Sequence, residues 1–366
     1  MLCACGGGGI APTGAASTSL KARSPESRSI LNKLRKDVTI GSTVDPGNGD
    51  TGPRAISVVP TDSGVLKKGD ILVCNFDNAL GEAGTGTTIE QLKPRRNSKP
   101  KTFVQSSAIE GCDGDAITAG DQVYATGMTS GLMVWLDQSG QTKESYSSPP
   151  SMPLGDLDAP QLYLYSPNYV FVGTGDTGAV DSLSLGGYGT GKVLEAIDGF
   201  PINQESGWGA LGPSGYAYSC GALPGQEECA NRLDELFIVD GDCNAVVSID
   251  HASSLLVKDE ITVGAGCTSF QCKYPKTTCG KLVRAGYPLN KPYAAAILPN
   301  GNFVVANTGD NTLIELTPKG EVLATKVVDT SGAPAIWGLF ATGTTDRNTA
   351  LYYTDTNSNE LHELER

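Results

Sequence analysis

From residue 37 onward the chain repeats one pattern: a short apolar run, a bend of Gly, Asp, Asn and Thr, and a second short run. The clearest copies are Ile71–Asn78, Gln122–Thr129, Tyr169–Asp176, Glu235–Asp242, Asn302–Asp310 and Ala350–Asn357. They start roughly 50 to 70 residues apart, the length of a four-stranded blade with variable loops. A strand beginning with Pro precedes most of them: Pro53–Val59, Pro160–Tyr165, Pro213–Tyr218 and Pro292–Ile297. The copy at Ile336–Phe340 lacks the Pro, and the one starting at Asp115 is the weakest. Small side chains suit an innermost strand, where blades converge on an axis. The pattern predicts an all-β, six-bladed β-propeller over residues 37–366.

The two ends predict how the ring closes. Val38–Val44 is a lone strand ahead of the first blade, and the last blade runs out at Glu360–Glu365 after three strands. An N-terminal strand that completes the last blade removes an exposed sheet edge. Residues 1–36 hold Gly, Ser, Ala, Lys and Arg without a sustained apolar period, so they read as a flexible tether, with a short helix around Ser29–Lys36.

One blade carries a more specific likeness. Pro292–Leu316 reads Pro-Tyr-Ala-Ala-Ala-Ile-Leu-Pro-Asn-Gly-Asn-Phe-Val-Val-Ala-Asn-Thr-Gly-Asp-Asn-Thr-Leu-Ile-Glu-Leu. It resembles a full NHL repeat: Pro-x-Gly, an apolar strand, Asn-Gly, a second strand, and Asp/Asn-x-Gly-Asn. The other blades match loosely, and residues 39–365 together resemble bacterial exported NHL-repeat proteins, most of which carry no assigned activity. The cysteine-bearing loops depart from that pattern and transfer no function.

Composition narrows the class. Gly 46 and Pro 21, with charged residues at 18%, describe short strands and tight turns rather than solvated helices. A net charge of -13 argues against a nucleic-acid partner. No run approaches the ~20 apolar residues that span a bilayer. Leu2-Cys3-Ala4-Cys5 followed by Gly6–Gly9 resembles a lipobox, which makes Cys5 a lipidation candidate, although the basic and apolar parts of a signal peptide are missing ahead of it. The remaining cysteines are Cys74, Cys112, Cys220, Cys229, Cys243, Cys267, Cys272 and Cys279. An even set in loop-like sequence suits disulfides made in an oxidising compartment, with Cys220–Cys229 and Cys272–Cys279 as local pairs. Zinc competes poorly, because Cys267, Cys272 and Cys279 lack CxxC spacing and the chain has only His251 and His362 as imidazoles. The expected location is therefore extracellular or at the cell surface, which includes a periplasmic or outer-membrane lipoprotein.

Antiparallel blades send their second turns and their blade-to-blade connections to one face. That face collects Asp77, Asn78, Asp176, Asp240, Asp242, Asp310, Asn311 and Asp355, with long connections at 107–114, 148–159, 199–212 and 266–291. Asp and Asn in such bends ordinarily bond their own backbone. A ring of Asp77, Asp176, Asp240, Asp310 and Asp355 could instead hold calcium, which takes six to eight oxygens. Residues beside the inner-strand Pro, namely Arg54, Gln161, Ser214, Tyr293 and Trp337, alternate toward the channel mouth, and Trp208 lies in a loop that could cap it. These groups suit a sugar or small polar molecule, or a plug. The connection 267–290 carries Lys273, Lys276, Lys281 and Arg284, a candidate dock for an acidic partner.

No Gly-x-Ser-x-Gly elbow, phosphate loop, His-Glu-x-x-His or haem attachment motif occurs. The leading reading is a secreted or surface-anchored binding propeller that presents its loop-rich face to a protein or carbohydrate, as a subunit of an extracellular assembly. The alternative is a calcium-dependent hydrolase or lactonase of the six-bladed type, whose channel-mouth Glu, Asn and Asp motifs find no clear match here.

Overall fold

The computed structural model describes residues 29–366 except 119–121, 148–161, 166–168, 176, 185–190, 192, 203–210, 220–233 and 256–257. Cys5, Gln161, Asp176, Trp208, Cys220 and Cys229 lie outside the described residues.

The chain, after its first strand β1 (Lys36–Ser42), builds six sheets, antiparallel throughout except for one parallel pair in the third. Blade 1 is β2 (Thr51–Val58), β3 (Ile71–Asp77), β4 (Thr88–Leu92) and β5 (Lys101–Gln105). Blade 2 is β6 (Cys112–Ile117), β7 (Val123–Gly127), β8 (Leu132–Leu136) and β9 (Thr142–Tyr146). Blade 3 starts with β10 (Leu162–Tyr165), β11 (Tyr169–Thr174), β12 (Ala179–Ser184) and β13 (Val193–Asp198). Blade 4 uses β14 (Gly215–Ser219), β15 (Glu235–Asp240) and β16 (Ala245–Asp250). The chain then leaves blade 4, adds β17 (Ile261–Val263) and β18 (Phe270–Cys272) to the edge of blade 3, and returns as β19 (Cys279–Ala285) to finish blade 4. Blade 5 is β20 (Pro292–Ile297), β21 (Phe303–Asn307), β22 (Thr312–Leu316) and β23 (Val322–Val327). Blade 6 is β24 (Leu339–Thr342), β25 (Ala350–Asp355) and β26 (Glu360–Glu365), completed by β1.

The six-bladed propeller and its closure are thus as the sequence predicts: β1 pairs antiparallel with β26, from Lys36↔Glu365 to Ser42↔Glu360. The apolar residues fill the gaps between blades. Val38, Ile40 and Tyr352 pack against Ile56, Ile71 and Val73 where the last blade meets the first, and comparable clusters fill the other five gaps. Burying apolar area at about 25 cal/mol per Å² in every gap is what makes the closed ring the stable arrangement.

Three expectations need correction. Residues 29–34 belong to the packed structure rather than to a tether: Ile30, Leu31 and Leu34 are buried between blades 5 and 6 around a 3-10 turn, Leu31–Lys33. Buried Glu315 fixes them, accepting from Ser29 Oγ at 2.6 Å and from the Leu31 amide at 2.8 Å. The stretch 266–291 is not a free connection, since it contains β18 and β19. Three of the four basic groups at 267–290 are already engaged: Lys281 pairs with Glu235 at 2.8 Å, Lys273 donates to the Lys258 carbonyl, and Arg284 donates to the Gly320 carbonyl. Blade 2's inner strand begins at Cys112 rather than Asp115.

The disulfides Cys74–Cys112, Cys243–Cys267 and Cys272–Cys279 are formed, the last as predicted. They stitch blade 1 to blade 2 and pin the excursion that links blades 3 and 4. Among the described residues no helix is long and apolar enough to cross a membrane.

The clasp carries a pH-sensitive contact. Tyr353 donates to Asp37 Oδ2 at 2.5 Å, His362 Nδ1 lies 3.2 Å from Asp37 Oδ1, and the imidazole stacks on the Tyr353 ring. Burial alone lowers the His362 pKa, but Asp37, Asp355 and Glu360 raise it further than burial lowers it. A raised imidazole stabilises the fold fully below its ordinary value and loses that contribution as pH rises through the folded-state value. Burial works against Asp37, yet its bonds to His362 and Tyr353 leave its pKa lowered, so its own contribution is lost only on acidification. The melting temperature should therefore fall more between about pH 6 and pH 8 in the native chain than in His362→Gln, measured by circular dichroism.

Candidate functional site

The inner strands β2, β6, β10, β14, β20 and β24 contact one another in a ring around the axis. Their approach is close enough to demand glycine: a Cβ on Gly215 would sit 2.3 Å from the Tyr293 carbonyl oxygen, and one on Gly338 2.3 Å from that of Arg54. At this level, among the described residues, Arg54, Asp113, Ser214, Tyr293 and Trp337 stand at the start of the inner strands of five blades, on the face where blade-to-blade connections arrive.

Four residues singled out from sequence meet there. Arg54 stacks between Phe76 (3.5 Å from its ring centroid) and Trp337 (4.2 Å). Tyr293 meets Trp337 edge-on at 4.7 Å, and Ser214 donates to the Tyr293 carbonyl at 2.8 Å. The residue that joins them is Asp113, fully buried, which accepts from Arg54 Nη1 at 3.2 Å and from the Tyr293 hydroxyl at 2.7 Å. Complete burial raises the Asp113 carboxyl, with Arg54 and Tyr293 pulling it back. All of these side chains are buried. They form a bonded plug.

Beneath the plug runs a cavity of about 350 Å³. Its described walls are mostly apolar, including Ile56, Val58, Ile117, Ala295, Ile297 and Ala341. Exposure rises along the inner strands away from the plug, with Val58, Pro60, Ile297 and Ala341 partly exposed. The cavity therefore opens on the face opposite the plug, at the turns between the first and second strands of the blades.

Two polar side chains in the wall stand out, Ser57 and Asp115. The Ser57 hydroxyl donates to Asp115 Oδ2, whereas Asp115 Oδ1 is buried without a hydrogen-bond partner. Burial pushes the Asp115 pKa up to about 7, and the Ser57 bond only partly offsets this. At neutral pH this carboxyl can therefore either give or take a hydrogen bond. Sequence periodicity marked Asp115 only as the start of a weak inner strand and missed Asp113, because Cys112, tied to Cys74, stands where the other blades place Pro or Ile.

The candidate calcium ring is distributed around the propeller. Asp240 Oδ1 accepts from the Cys243 amide, Asp355 Oδ1 from the Asn357 and Ser358 amides, and Asp310 bonds Thr312. Each caps its own bend. Asp77, near Arg54 and Asp113, has a pKa raised chiefly by burial. Among the described residues, no close acidic group combines these aspartates; Asp240 lies near Cys243 and Cys267, whose sulfurs are bonded to each other.

The fold and channel define a six-bladed β-propeller sealed at one end. Its likeness to solved structures is spread over nearly the whole chain. Virginiamycin B lyase from Staphylococcus aureus aligns over 90% of this chain and 98% of its own, at 14% identity and a TM-score of 0.50. A gluconolactonase from Xanthomonas campestris aligns over 90% and 89%, at 11% identity and a TM-score of 0.55. At these identities the likeness shows the fold alone. No protein-family model and no curated protein matches the sequence.

Proposed function

We propose that the chain is a binding propeller, working outside the cytosol, that holds a small and mostly apolar molecule in its central channel. The ligand enters from the face opposite the plug and offers one polar group to Asp115. The observation that carries this reading is the unpartnered Asp115 Oδ1 in the wall of a mostly apolar 350 Å³ cavity. A buried polar atom without a partner costs about 1 to 3 kcal/mol, which a ligand hydrogen bond recovers. A cavity of this size falls within the range of small-molecule sites. The formed disulfides support an oxidising compartment. A protein or carbohydrate on the loop-rich face, the reading favoured by the sequence, meets an axis already filled by Arg54, Asp113 and Trp337.

The second reading is hydrolysis or elimination on a lactone-like substrate, with Asp115 as general acid. The position of its pKa near neutrality and the lyase and lactonase neighbours favour it. Against it, a catalytically inactive variant of the lyase carries Ala in place of His, whereas here His362 lies on β26 and His251 just after β16.

Saturation-transfer NMR with cyclohexanol, δ-valerolactone and cyclohexylamine tests both. Binding of at least one probe should drop more than about tenfold in Ala341→Trp, which narrows the partly exposed opening, and fall in Asp115→Asn. Probes that bind both variants as well as the native chain would overturn the channel reading. Turnover of the lactone, lost in Asp115→Asn, would select the enzyme.

A further inference from the structure

The excursion from blade 4 onto blade 3 creates a second cluster, made of residues that take no part in the plug. Glu195 and Asp198 lie on β13, and Asp259 lies on the segment entering β17. In a regular strand, residues three apart face opposite sides. Here the β12–β13 register slips, with Val180 opposite Ile197 but Asp181 opposite Glu195, so Ala196 is an extra residue. Such a bulge re-aims its side chains, and it turns Glu195 and Asp198 toward the same place. The excursion brings the third carboxylate: the Asp259 amide donates to the Glu195 carbonyl at 3.0 Å and the Glu260 amide to the Ala196 carbonyl at 2.9 Å.

One oxygen from each of the three carboxylates lies within 4.8 Å of the others. Two oxygens bound to an ion at about 2.4 Å can be no further apart than about 4.8 Å, the limit set by calcium's bond length. Glu195 is only 4% exposed, and its Oε2 has no hydrogen-bond partner; nor has Asp198 Oδ1. These are buried acceptors on residues that gather with a third carboxylate. Lys258 supplies one nearby positive charge against three carboxylates and the neighbouring Asp181.

We infer that Glu195, Asp198 and Asp259 bind a calcium ion that fastens the β17–β18 excursion to the outer edge of blade 3. All three donors are hard oxygens, which suits calcium and gives no purchase to softer metals. The site differs from the ring of turn aspartates and does not depend on the channel. The same excursion is held by Cys243–Cys267 and Cys272–Cys279, so the ion would act where the chain is already cross-linked.

The competing state is a proton shared between Glu195 and Asp259, since burial and the nearby carboxylates raise the Glu195 pKa. Isothermal titration of the chelator-stripped full chain with calcium chloride, paired with melting curves, separates the two. The expected result is one event with a dissociation constant below about 1 mM, the upper end for extracellular calcium modules, and a rise in melting temperature. Glu195→Gln and Asp259→Asn should each weaken binding at least about tenfold, while Asp240→Asn leaves it unchanged. Circular dichroism confirms that the variants fold. Absence of heat and of any melting shift at 5 mM calcium, or an equal shift in Glu195→Gln, would overturn the assignment; a chain that melts higher as Glu195→Gln and ignores calcium holds a proton instead.

Discussion

Asp113→Ala should destabilise the propeller by about 3 to 5 kcal/mol, the cost of stranding one partner of a buried ion pair. The Arg54 guanidinium would remain between Phe76 and Trp337 without the Asp113 carboxylate, and the Tyr293 hydroxyl would lose the bond to it. The pair itself need not stabilise. Its attraction is set against the desolvation of two charges, so Arg54→Met with Asp113→Leu should recover most of the loss. Denaturant midpoints of the two single variants and the double variant give the coupling, which should exceed about 2 kcal/mol. Additive losses would mean that the plug is not one bonded unit. Because Arg54 and Asp113 come from the inner strands of blades 1 and 2, their coupling also reports that these two blades meet at the plug.

Asp115→Asn should have the opposite sign. The unfolded carboxyl loses its proton near its ordinary value of 3.8, whereas the folded one keeps it to about 7. Between those values the unfolded state binds fewer protons, so native stability falls as pH rises, by roughly 4 kcal/mol in all for a difference of this size. Asn carries no such penalty and still accepts from Ser57. The variant should thus gain stability over the native chain at pH 8 and gain little at pH 4, as read from denaturation midpoints at each pH. A gain that does not grow with pH would mean that the carboxyl is not held protonated. A side chain that costs stability at neutral pH while lining a cavity is best explained by what it contacts there.

The architecture was legible because blades are local: each apolar run, bend and second run lies within one stretch of chain, and alternation along the inner strands brought Arg54, Ser214, Tyr293 and Trp337 to one end. What alternation could not say is that they would bond to one another and close that end. That depends on Asp113, whose strand lacks the Pro that marked four of the others and is held by the bond from Cys112 to Cys74. The excursion escaped for a related reason. Parallel pairing of β17 with β13 joins residues more than 60 positions apart, as in Ile197↔Ile261, and nothing local in Ile261–Val263 distinguishes a blade strand from an added one. The packed residues Ile30, Leu31 and Leu34 hid within polar sequence because their burial is supplied by blades 5 and 6. Asp240 and Asp355 behave as turn aspartates do, by accepting from backbone amides of their own bends, and Asp310 accepts from the Thr312 hydroxyl.

The channel account meets its most direct test in crystals soaked with δ-valerolactone, cyclohexanol and cyclohexylamine in turn. It predicts density for a bound probe between Ile56, Tyr216 and Ala295, with the probe's polar atom within hydrogen-bond distance of Asp115 Oδ1. Probes found only on the loop-rich face beside Asp77, Asp310 or Asp355, with none in the channel, would contradict it.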